Sequence, residues 1–355
     1  METNQVSNGV LNMFTHPVFQ VKDGTILAVN HSAQTLQINE NTSVFDMITS
    51  GAEEYQGFDG GTLSLTLKIG QAKLIATVVR TGGSDYFHLI AGNNAPDLQA
   101  LALASQHLRD PLSNVIALSD SLFALEQNNM DLKKRARYAQ LNQNLHRLLR
   151  SVGNMSDVQS CTERKISMEP LNIADILRQA TETVQQQLDS SDVLKLAVHG
   201  IADAGMADRD LLERAAFNLL SNALRYKDEN TQVHATIRCE KKRVVFTVEN
   251  SCKDLTPEKL ETIFFRYRNT PSITDSNKGL GLGIPMVQAA ASVHNGSLLV
   301  TQPAQGKVRF CLTIPIMQDK SGNLRSPIIR PDYAGGFDRC LIELSDILPA
   351  SAYEK

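Results

Sequence analysis

Two consecutive stretches with apolar residues three and four positions apart constrain the fold of this chain most. The first has its apolar positions at Leu101, Ala104, Leu108, Pro111, Val115, Leu118, Leu122 and Leu125. After the polar segment 126–131, the second has them at Tyr138, Leu141, Leu145, Leu148, Val152 and Met155. This spacing predicts two long helices in an antiparallel hairpin. Because two helices with one narrow seam each bury little surface, we expect a second hairpin to complete a four-helix dimer. A coiled-coil spacer is the alternative.

Composition excludes several classes of protein. The 355 residues suffice for two or three domains, and 42% hydrophobic with 21% charged residues is typical of a globular chain. A formal net charge of −3 argues against a basic nucleic-acid-binding protein. We expect no membrane span, since no apolar run approaches the ~18–20 residues that a span needs. We expect no secretory signal either, since residues 1–25 lack a charged start followed by an apolar core. The five scattered cysteines predict reduced thiols in a cytoplasmic protein and no zinc site.

Hydrophobic patterning divides the chain into four segments. Residues 1–95 contain a hairpin with Asp23-Gly24 in its turn and several alternating strands, which predicts a mixed α/β domain. Residues 96–165 hold the helical hairpin. Residues 166–318 are α/β, with helices expected at 172–188, 208–227 and 284–293 and strands at 233–239, 244–249, 297–301 and 307–314. Residues 319–355 are a polar linker and a short amphipathic helix, which we expect to pack on its own chain.

One helix of the third segment carries a polar face. Asn218, Asn222, Arg225 and Tyr226 follow one another at helical spacing. Two carboxamides one turn apart can bind a hard cation through oxygen and phosphate oxygens through nitrogen. Arg225 adds positive charge against phosphate. A polar surface stripe without ligand is the alternative.

Three further motifs follow along the chain. Asn250 ends a strand and could accept a hydrogen bond from an exocyclic amine. The aromatic segment 263–267 could anchor a lid, although core packing is the commoner use of such residues. A glycine-rich turn, followed by a helix, would let phosphates approach the backbone. It consists of Lys278, Gly279, Leu280, Gly281, Leu282 and Gly283. It is neither a Walker loop nor a dinucleotide-binding fingerprint.

The order of these motifs resembles the catalytic and ATP-binding domain of sensor histidine kinases, in the GHKL ATPase superfamily. The resemblance covers about 166–318. The hairpin at 96–165 lies where that family has its dimerisation and phosphoacceptor domain, and residues 1–95 resemble a PAS sensor domain. The implied fold is multidomain α+β: a PAS-like α/β domain, a helical hairpin forming a dimeric four-helix bundle, and a GHKL α/β sandwich.

The resemblance also implies roles for matching residues. Asn218 takes the magnesium-ligand position. The remaining nucleotide-binding positions are Asn222, Arg225, Tyr226, Asn250, Phe265, Lys278, Gly279, Leu280, Gly281 and Leu282. The aromatic box before the ATP lid corresponds to Phe264, Phe265 and Tyr267, with the lid at about 268–278. The implied cofactors are ATP and Mg²⁺. The implied partners are a second copy of the chain and the receiver domain of a response regulator.

Two boxes depart from the family pattern. The Asp-x-Gly-x-Gly box is replaced by Asn250, Cys252 and Asp254. A neutral acceptor at Asn250 weakens the bond to the adenine amine by about 1–2 kcal/mol, roughly tenfold in affinity. In the phosphoacceptor box, the match on Leu108-Arg109 and Pro111-Leu112 puts Gln106 at the phosphoacceptor position.

His107 follows one residue later, which is about 100° around the helix. A glutamine amide is not a nucleophile, whereas a neutral imidazole can attack phosphorus. Three functions therefore remain open: a kinase that phosphorylates His107, a degenerate kinase that regulates a partner without autophosphorylation, and a kinase that acts on a partner's side chain. His146 is a weaker acceptor candidate and is expected on the surface. The basic face of the second hairpin helix is expected to receive a response regulator or to be simply solvated.

Overall fold

The computed structural model describes residues 10–90, 96–126, 130–163, 166–188, 192–253, 255–256, 259–260, 263–264, 282–318 and 337–354. Among these residues, no helix combines the length and the apolar character that a membrane crossing requires. The architecture is α+β.

The N-terminal part is an antiparallel sheet with short helices. Its elements are β1 (Val18–Lys22), β2 (Thr25–Val29), α1 (His31–Thr35), β3 (Ile48–Ser50), α2 (Ala52–Gln56), β4 (Thr62–Ile69), β5 (Ala72–Thr81) and β6 (Ser84–Ile90). The strand order is β2-β1-β6-β5-β4. The predicted turn is confirmed, since Asp23 and Gly24 both have positive φ. The rings of Phe19 and Phe87 stack in the core at a centroid distance of 4.9 Å.

The helical hairpin is confirmed as α3 (Pro96–Glu126) and α4 (Leu132–Glu163). The two helices meet through a different face of α3 from the predicted seam. Ile116 and Phe123 are buried, and the Ser119 hydroxyl donates to Asn142 Oδ1 at 2.7 Å. The predicted seam is exposed at Leu108, Val115, Leu118, Leu122 and Leu125 of α3 and at Leu141 and Leu148 of α4. Leu125 is 78% exposed, so this stripe is not covered within the single chain.

The C-terminal α/β part packs three helices on a mixed sheet. Its elements are β7 (Glu169–Leu171), α5 (Ile173–Gln187), β8 (Leu194–His199), β9 (Gly205–Ala207), α6 (Arg209–Tyr226), β10 (Val233–Cys239), β11 (Arg243–Ser251), α7 (Gly283–Val293), β12 (Ser297–Thr301) and β13 (Lys307–Pro315). The sheet order is β12-β13-β11-β10-β8, with β8 parallel to β10. Apolar side chains of α5, α6 and α7 pack with those of the sheet in one core. The three helices and four strands expected here are confirmed, whereas β7, β8 and β9 were not predicted.

The two sheets are joined by direct pairing of β4 with β12. The strands run antiparallel, with Thr62 opposite Val300 and Ser64 opposite Leu298. With β3, which pairs with β4 on the opposite side from β5, this makes one sheet of eleven strands in the described part of the chain. Side chains reinforce the junction, because Gln288 on α7 donates to the Ser64 hydroxyl at 3.0 Å. The edge of each smaller sheet is therefore covered by the other.

The C-terminal segment, residues 337–354, lies between α4 and α6. It contains α8 (Arg339–Glu343) and a 3-10 turn at Ala350–Tyr353. The Asp338 side chain caps α8 by accepting from the backbone N–H groups of Cys340 and Leu341. Its side chains in the α/β core are Cys340, Leu341, Leu344, Leu348 and Tyr353. The expected docking of this helix on its own chain is confirmed.

His146 corrects one expectation. It was expected on the surface, but it is buried beneath the C-terminal segment, against the rings of Phe337 and Tyr353 at centroid distances of 6.1 and 5.1 Å. Its Nδ1 is 2.8 Å from the carbonyl oxygen of Asn142. Helix periodicity placed His146 beside exposed residues, but it could not show that a segment distant in sequence covers that side of α4.

The β4–β12 junction predicts an asymmetry between two neighbouring glycines. Gly61 has a φ of +88°, and a Cβ there would collide with the carbonyl oxygen of Val300. We expect Gly61→Ala to lower the midpoint of thermal unfolding, because the strained backbone alone costs about 1–3 kcal/mol. Gly60→Ala is the matched control, since a Cβ at Gly60 has no atom within 4 Å. Equal midpoints for the two variants would contradict the pairing.

Burial of His146 predicts a pH dependence of stability. Burial lowers the pKa of His146 below its ordinary value, while Asp120 and Asp338 oppose that shift. As the pH falls, His146 is protonated in the unfolded chain before it is protonated in the folded one. The contribution of neutral His146 to folding stability is therefore complete above about pH 6.5 and declines below it. We expect His146→Gln to reduce the fall of the unfolding midpoint between about pH 7.5 and 5.5. The same substitution at the exposed His199 should leave the slope unchanged; a wild-type slope in His146→Gln would refute this account.

Candidate functional site

The polar face of α6 lies at the centre of the candidate site. The helix starts at Asp208, whose side chain accepts from the backbone N–H of Leu211 and fixes the first turn. The backbone N–H of Asp208 also donates to Nε2 of the buried His294, which follows α7, so the start of α6 is tied to the end of α7. The helix then places Asn218, Asn222, Arg225 and Tyr226 in succession. Asn218 is buried, Asn222 and Arg225 are half-buried, and Tyr226 is exposed.

The Asn218 side chain does not face solvent, being only 1% exposed. Its Nδ2 donates to the carbonyl oxygen of Arg214 at 3.0 Å and lies 3.6 Å from Met286 Sδ on α7. Its Oδ1 accepts from Nη2 of Arg150, on α4, at 3.3 Å. A Cβ built at Gly283 would be only 2.8 Å from the same oxygen. The carboxamide of α6 thus meets the last glycine of the predicted turn, where only a glycine leaves room.

Arg225 and Tyr226 end the same helix. The Arg225 guanidinium lies over the Tyr226 ring, 5.5 Å from its centroid. Its Nη1 is 3.2 Å from Oδ2 of Asp346, in the C-terminal segment. The positive charge predicted to meet phosphate is therefore paired with a carboxylate of the same chain.

Asn250 lies at the end of β11, close to the end of α6. It is 2% exposed, and its Nδ2 donates to the carbonyl oxygen of Ser251 at 3.1 Å. Asp228, just after α6, donates its backbone N–H to the same carbonyl at 2.9 Å and accepts from the N–H of Lys253 through Oδ1. The predicted acceptor and the predicted polar helix are therefore held together by backbone contacts.

Of the remaining residues predicted for the nucleotide site, two are buried and the others lie outside the described part of the chain. Phe264 is fully buried in the α/β core, in agreement with the structural alternative for the aromatic segment. Leu282 is buried immediately before α7. The predicted residues outside the described part of the chain are Asp254, Phe265, Tyr267, Lys278, Gly279, Leu280 and Gly281.

The phosphoacceptor candidates lie on α3. His107 is exposed, and the helix continues through Pro111. Gln106 is part of the same helix, but its side chain lies outside the described positions. Within the described contacts, His107 is not joined to the group around Asn218.

The donor set at Asn218 suits a hard cation, because a carboxamide oxygen is a ligand that Mg²⁺ accepts. The space kept open by Gly283 allows a close approach to that oxygen. The same oxygen now accepts a hydrogen bond from Arg150, so the fit requires the guanidinium to withdraw. Among the described residues, no group of three or more His, Cys, Asp and Glu side chains could hold a metal ion.

The sequence patterns did not single out the charged groups near Asn218. These are Arg150, in the basic second helix of the hairpin, Arg214, Glu343 and Asp346. The available signal was the spacing of three residues between Arg147 and Arg150 and between Glu343 and Asp346. Each spacing puts two like charges on one side of a helical turn, but nothing in the sequence pairs the two sets.

Comparison with known proteins gives a consistent picture. Residues 207–318 match the family described as histidine kinase-, DNA gyrase B-, and HSP90-like ATPase. The sensor histidine kinase CusS of Escherichia coli K12 is 28% identical over 216 residues, which are 59% of this chain and 44% of CusS. The alginate biosynthesis sensor protein KinB of Pseudomonas aeruginosa is 28% identical over 221 residues, 60% of this chain and 36% of KinB.

The match thus spans less than half the length of these relatives. Among solved structures, full-length ShkA in complex with AMPPNP gives a TM-score of 0.49 at 22% identity, covering 62% of this chain and 46% of ShkA. The residues that match the ATPase family, 207–318, include α6, the end of β11 and the start of α7. Residues 207–318 are therefore similar to the histidine kinase-, DNA gyrase B-, and HSP90-like ATPases and are named the ATPase domain after that likeness, and the chain as a whole is similar to sensor histidine kinases.

Proposed function

We propose that this chain is a signalling kinase of a two-component system that binds MgATP at the junction of α6, β11 and α7. The observation that carries the proposal is the proximity of Asn218 Oδ1 to Gly283, where a Cβ would lie 2.8 Å from that oxygen. It brings a cation-binding carboxamide to the start of a helix that follows a glycine-rich stretch of sequence. The sequence match to the ATPase family over the same residues supports it independently.

In this proposal each residue acts by position and charge. Asn218 holds Mg²⁺, which neutralises charge on the phosphates. Asn222 and Arg225 contact phosphate oxygens, and Asn250 accepts from the adenine amine. The imidazole of His107 attacks the γ-phosphorus, the bond from that phosphorus to the bridging oxygen breaks, and ADP leaves with the electron pair. Such transfers depend on alignment and charge neutralisation more than on covalent chemistry by the protein.

The other parts of the chain take the roles implied by the resemblance. The antiparallel order β2-β1-β6-β5-β4 with short flanking helices supports a PAS-like sensor for residues 1–95. The exposed apolar stripe of α3, from Leu108 to Leu125, supports a homodimer in which the hairpins form a four-helix bundle. A response regulator would then receive the phosphoryl group on an aspartate. A cytoplasmic location is part of the same proposal.

A degenerate kinase is the second candidate function. Gln106 at the phosphoacceptor position favours it, and so does the hydrogen bond from Arg150 to the oxygen proposed to hold Mg²⁺. Such a protein would bind nucleotide, or none, and would regulate a partner kinase without autophosphorylation. Phosphorylation of a partner's side chain is the third possibility, and it needs the same nucleotide site.

A gain-of-affinity variant tests the base position. We expect Asn250→Asp to bind MgATP about tenfold more tightly, because a charged acceptor forms a stronger bond to the adenine amine. The affinity for MgGTP should not rise, since guanine has a carbonyl oxygen in place of that amine. Calorimetric titration of both nucleotides measures the difference. A gain for neither nucleotide, or for both equally, would exclude Asn250 from the base position.

Labelling with γ-³²P-ATP tests phosphotransfer. We expect acid-labile, alkali-stable label on the wild type, lost in His107→Ala because that variant lacks the only proposed nucleophile. The Gln106→His variant restores a histidine at the family's acceptor position and shows whether the ATPase domain is active. If neither the wild type nor Gln106→His is labelled although ATP binding is measurable, the degenerate kinase is the correct function. Label that survives His107→Ala would rule out His107 as acceptor.

A further inference from the structure

Four arginines and two carboxylates meet where the C-terminal segment covers α4 and α6. The arginine cluster consists of Arg147 and Arg150 on α4 and Arg214 and Arg225 on α6. The carboxylates are Glu343 and Asp346, three residues apart in the segment. Two of these arginines bear directly on the proposed nucleotide site, because Arg225 is a proposed phosphate contact and Arg150 binds Asn218.

Asp346 links the two helices. Its Oδ2 is 3.0 Å from Nη1 of Arg150 and 3.2 Å from Nη1 of Arg225, and its Oδ1 is 3.5 Å from Nε of Arg147. Arg147 also donates to the backbone carbonyl of Ser345 at 2.9 Å. One half-buried carboxylate therefore bridges a cation of the hairpin and a cation of the ATPase domain.

Glu343 holds the inner part of the cluster. It is fully buried, with Oε1 3.3 Å from Nε of Arg214 and Oε2 3.4 Å from Nε of Arg150. The second of these pairs lacks hydrogen-bond geometry, so neither atom has a hydrogen-bond partner within the described part of the chain. A buried ion pair of imperfect geometry is a weak source of stability.

The two carboxylates fix the position of Arg150 on Asn218. With Nε facing Glu343 and Nη1 on Asp346, the remaining Nη2 points at Asn218 Oδ1 and at the Ser221 hydroxyl, at 3.3 and 3.0 Å. The docked segment thereby pairs with the guanidinium proposed to meet phosphate, and it holds Arg150 on the oxygen proposed to bind Mg²⁺.

The cluster is held together by contacts between guanidinium groups and carboxylates. A nucleotide triphosphate offers several anionic oxygens to the same donors. The carboxylates of the segment and the phosphates of a nucleotide therefore recognise the same groups.

We propose that the C-terminal segment is an intramolecular inhibitor that competes with MgATP. Asp346 takes the place of phosphate oxygens at Arg225, while Glu343 and Asp346 hold Arg150 on Asn218. This rests on the proposed nucleotide site and adds its regulation. Undocking of the segment removes both carboxylates from Arg150 and frees its guanidinium to leave Asn218.

Two variants weaken the contact between the C-terminal segment and the arginine cluster, one from each side. Asp346→Asn keeps the shape of the side chain in the segment and removes its charge. Arg147→Gln removes, from the hairpin side, the contacts with Asp346 and with the carbonyl of Ser345. Both should bind MgATP about fivefold or more tightly than the wild type, a usual size for coupling between sites. Glu354→Gln is the control, because it removes a charge from an exposed position of the same segment; its affinity should equal that of the wild type.

Calorimetry is combined with hydrogen–deuterium exchange of the amides of residues 340–348. In the wild type, MgATP should speed exchange there, and in Asp346→Asn exchange should be faster already without nucleotide. Equal MgATP affinity in all four proteins overturns the inhibitor and leaves the nucleotide site intact. Weaker binding by Asp346→Asn overturns it as well, because Asp346 would then position Arg225 for phosphate. Absence of binding in every protein, at millimolar MgATP, overturns the proposed function itself.

Discussion

Backbone pairing between β4 and β12 is the interaction on which the arrangement of the whole chain depends. Each strand would otherwise be an edge with unpaired N–H and C=O groups. The pairing fixes the N-terminal sheet relative to the ATPase sheet through Leu63 and Leu299, which lie opposite each other. It also brings α7 against β4, where Gln288 reaches Ser64 and Ser292 reaches Thr66. The helix that starts at Gly283 is therefore packed on both parts of the protein.

The second constraint is electrostatic and acts on the other side of the ATPase domain. Arg150 is nearly buried, and its guanidinium is shared among Asn218, Ser221, Glu343 and Asp346. Removing one partner of such a group leaves charge in a poorly solvated place, which is more costly than losing an exposed ion pair. In the docked arrangement, the C-terminal segment, α4 and α6 are thus held together by charged groups that each need the others.

Local patterns in the sequence predicted most elements, and they failed where contacts join distant residues. The hairpin follows from the spacing of Leu101 to Met155, and α6 lies within the helix expected at 208–227. The strand β8 was missed because Leu194–His199 carries exposed apolar residues on a sheet edge. The pairing of β4 with β12 was missed because strand alternation shows which face is buried but never which partner lies beside it.

The candidate site shows the same limit at the level of side chains. The sequence predicted Asn218 and Arg225 on one face of a helix, and both lie on α6. In the structure, Asn218 accepts a hydrogen bond from Arg150, and Arg225 pairs with Asp346. Ion pairing depends on distance in space, and Arg150 and Asp346 are 196 residues apart in sequence. A stripe of arginines therefore gives the same pattern whether it faces solvent, a partner or a distant part of its own chain.

These two constraints meet at α7. Gln288 contacts the N-terminal sheet, and two residues earlier Met286 contacts Asn218, so direct contacts run from β4 to the candidate site without passing through the hairpin. Continuity alone does not couple two sites, because coupling needs an element with two arrangements that both sites favour differently. The sheet junction is continuous backbone pairing and offers one arrangement. The C-terminal segment, held by imperfect ion pairs at the other side of Asn218, is the element that can supply the second.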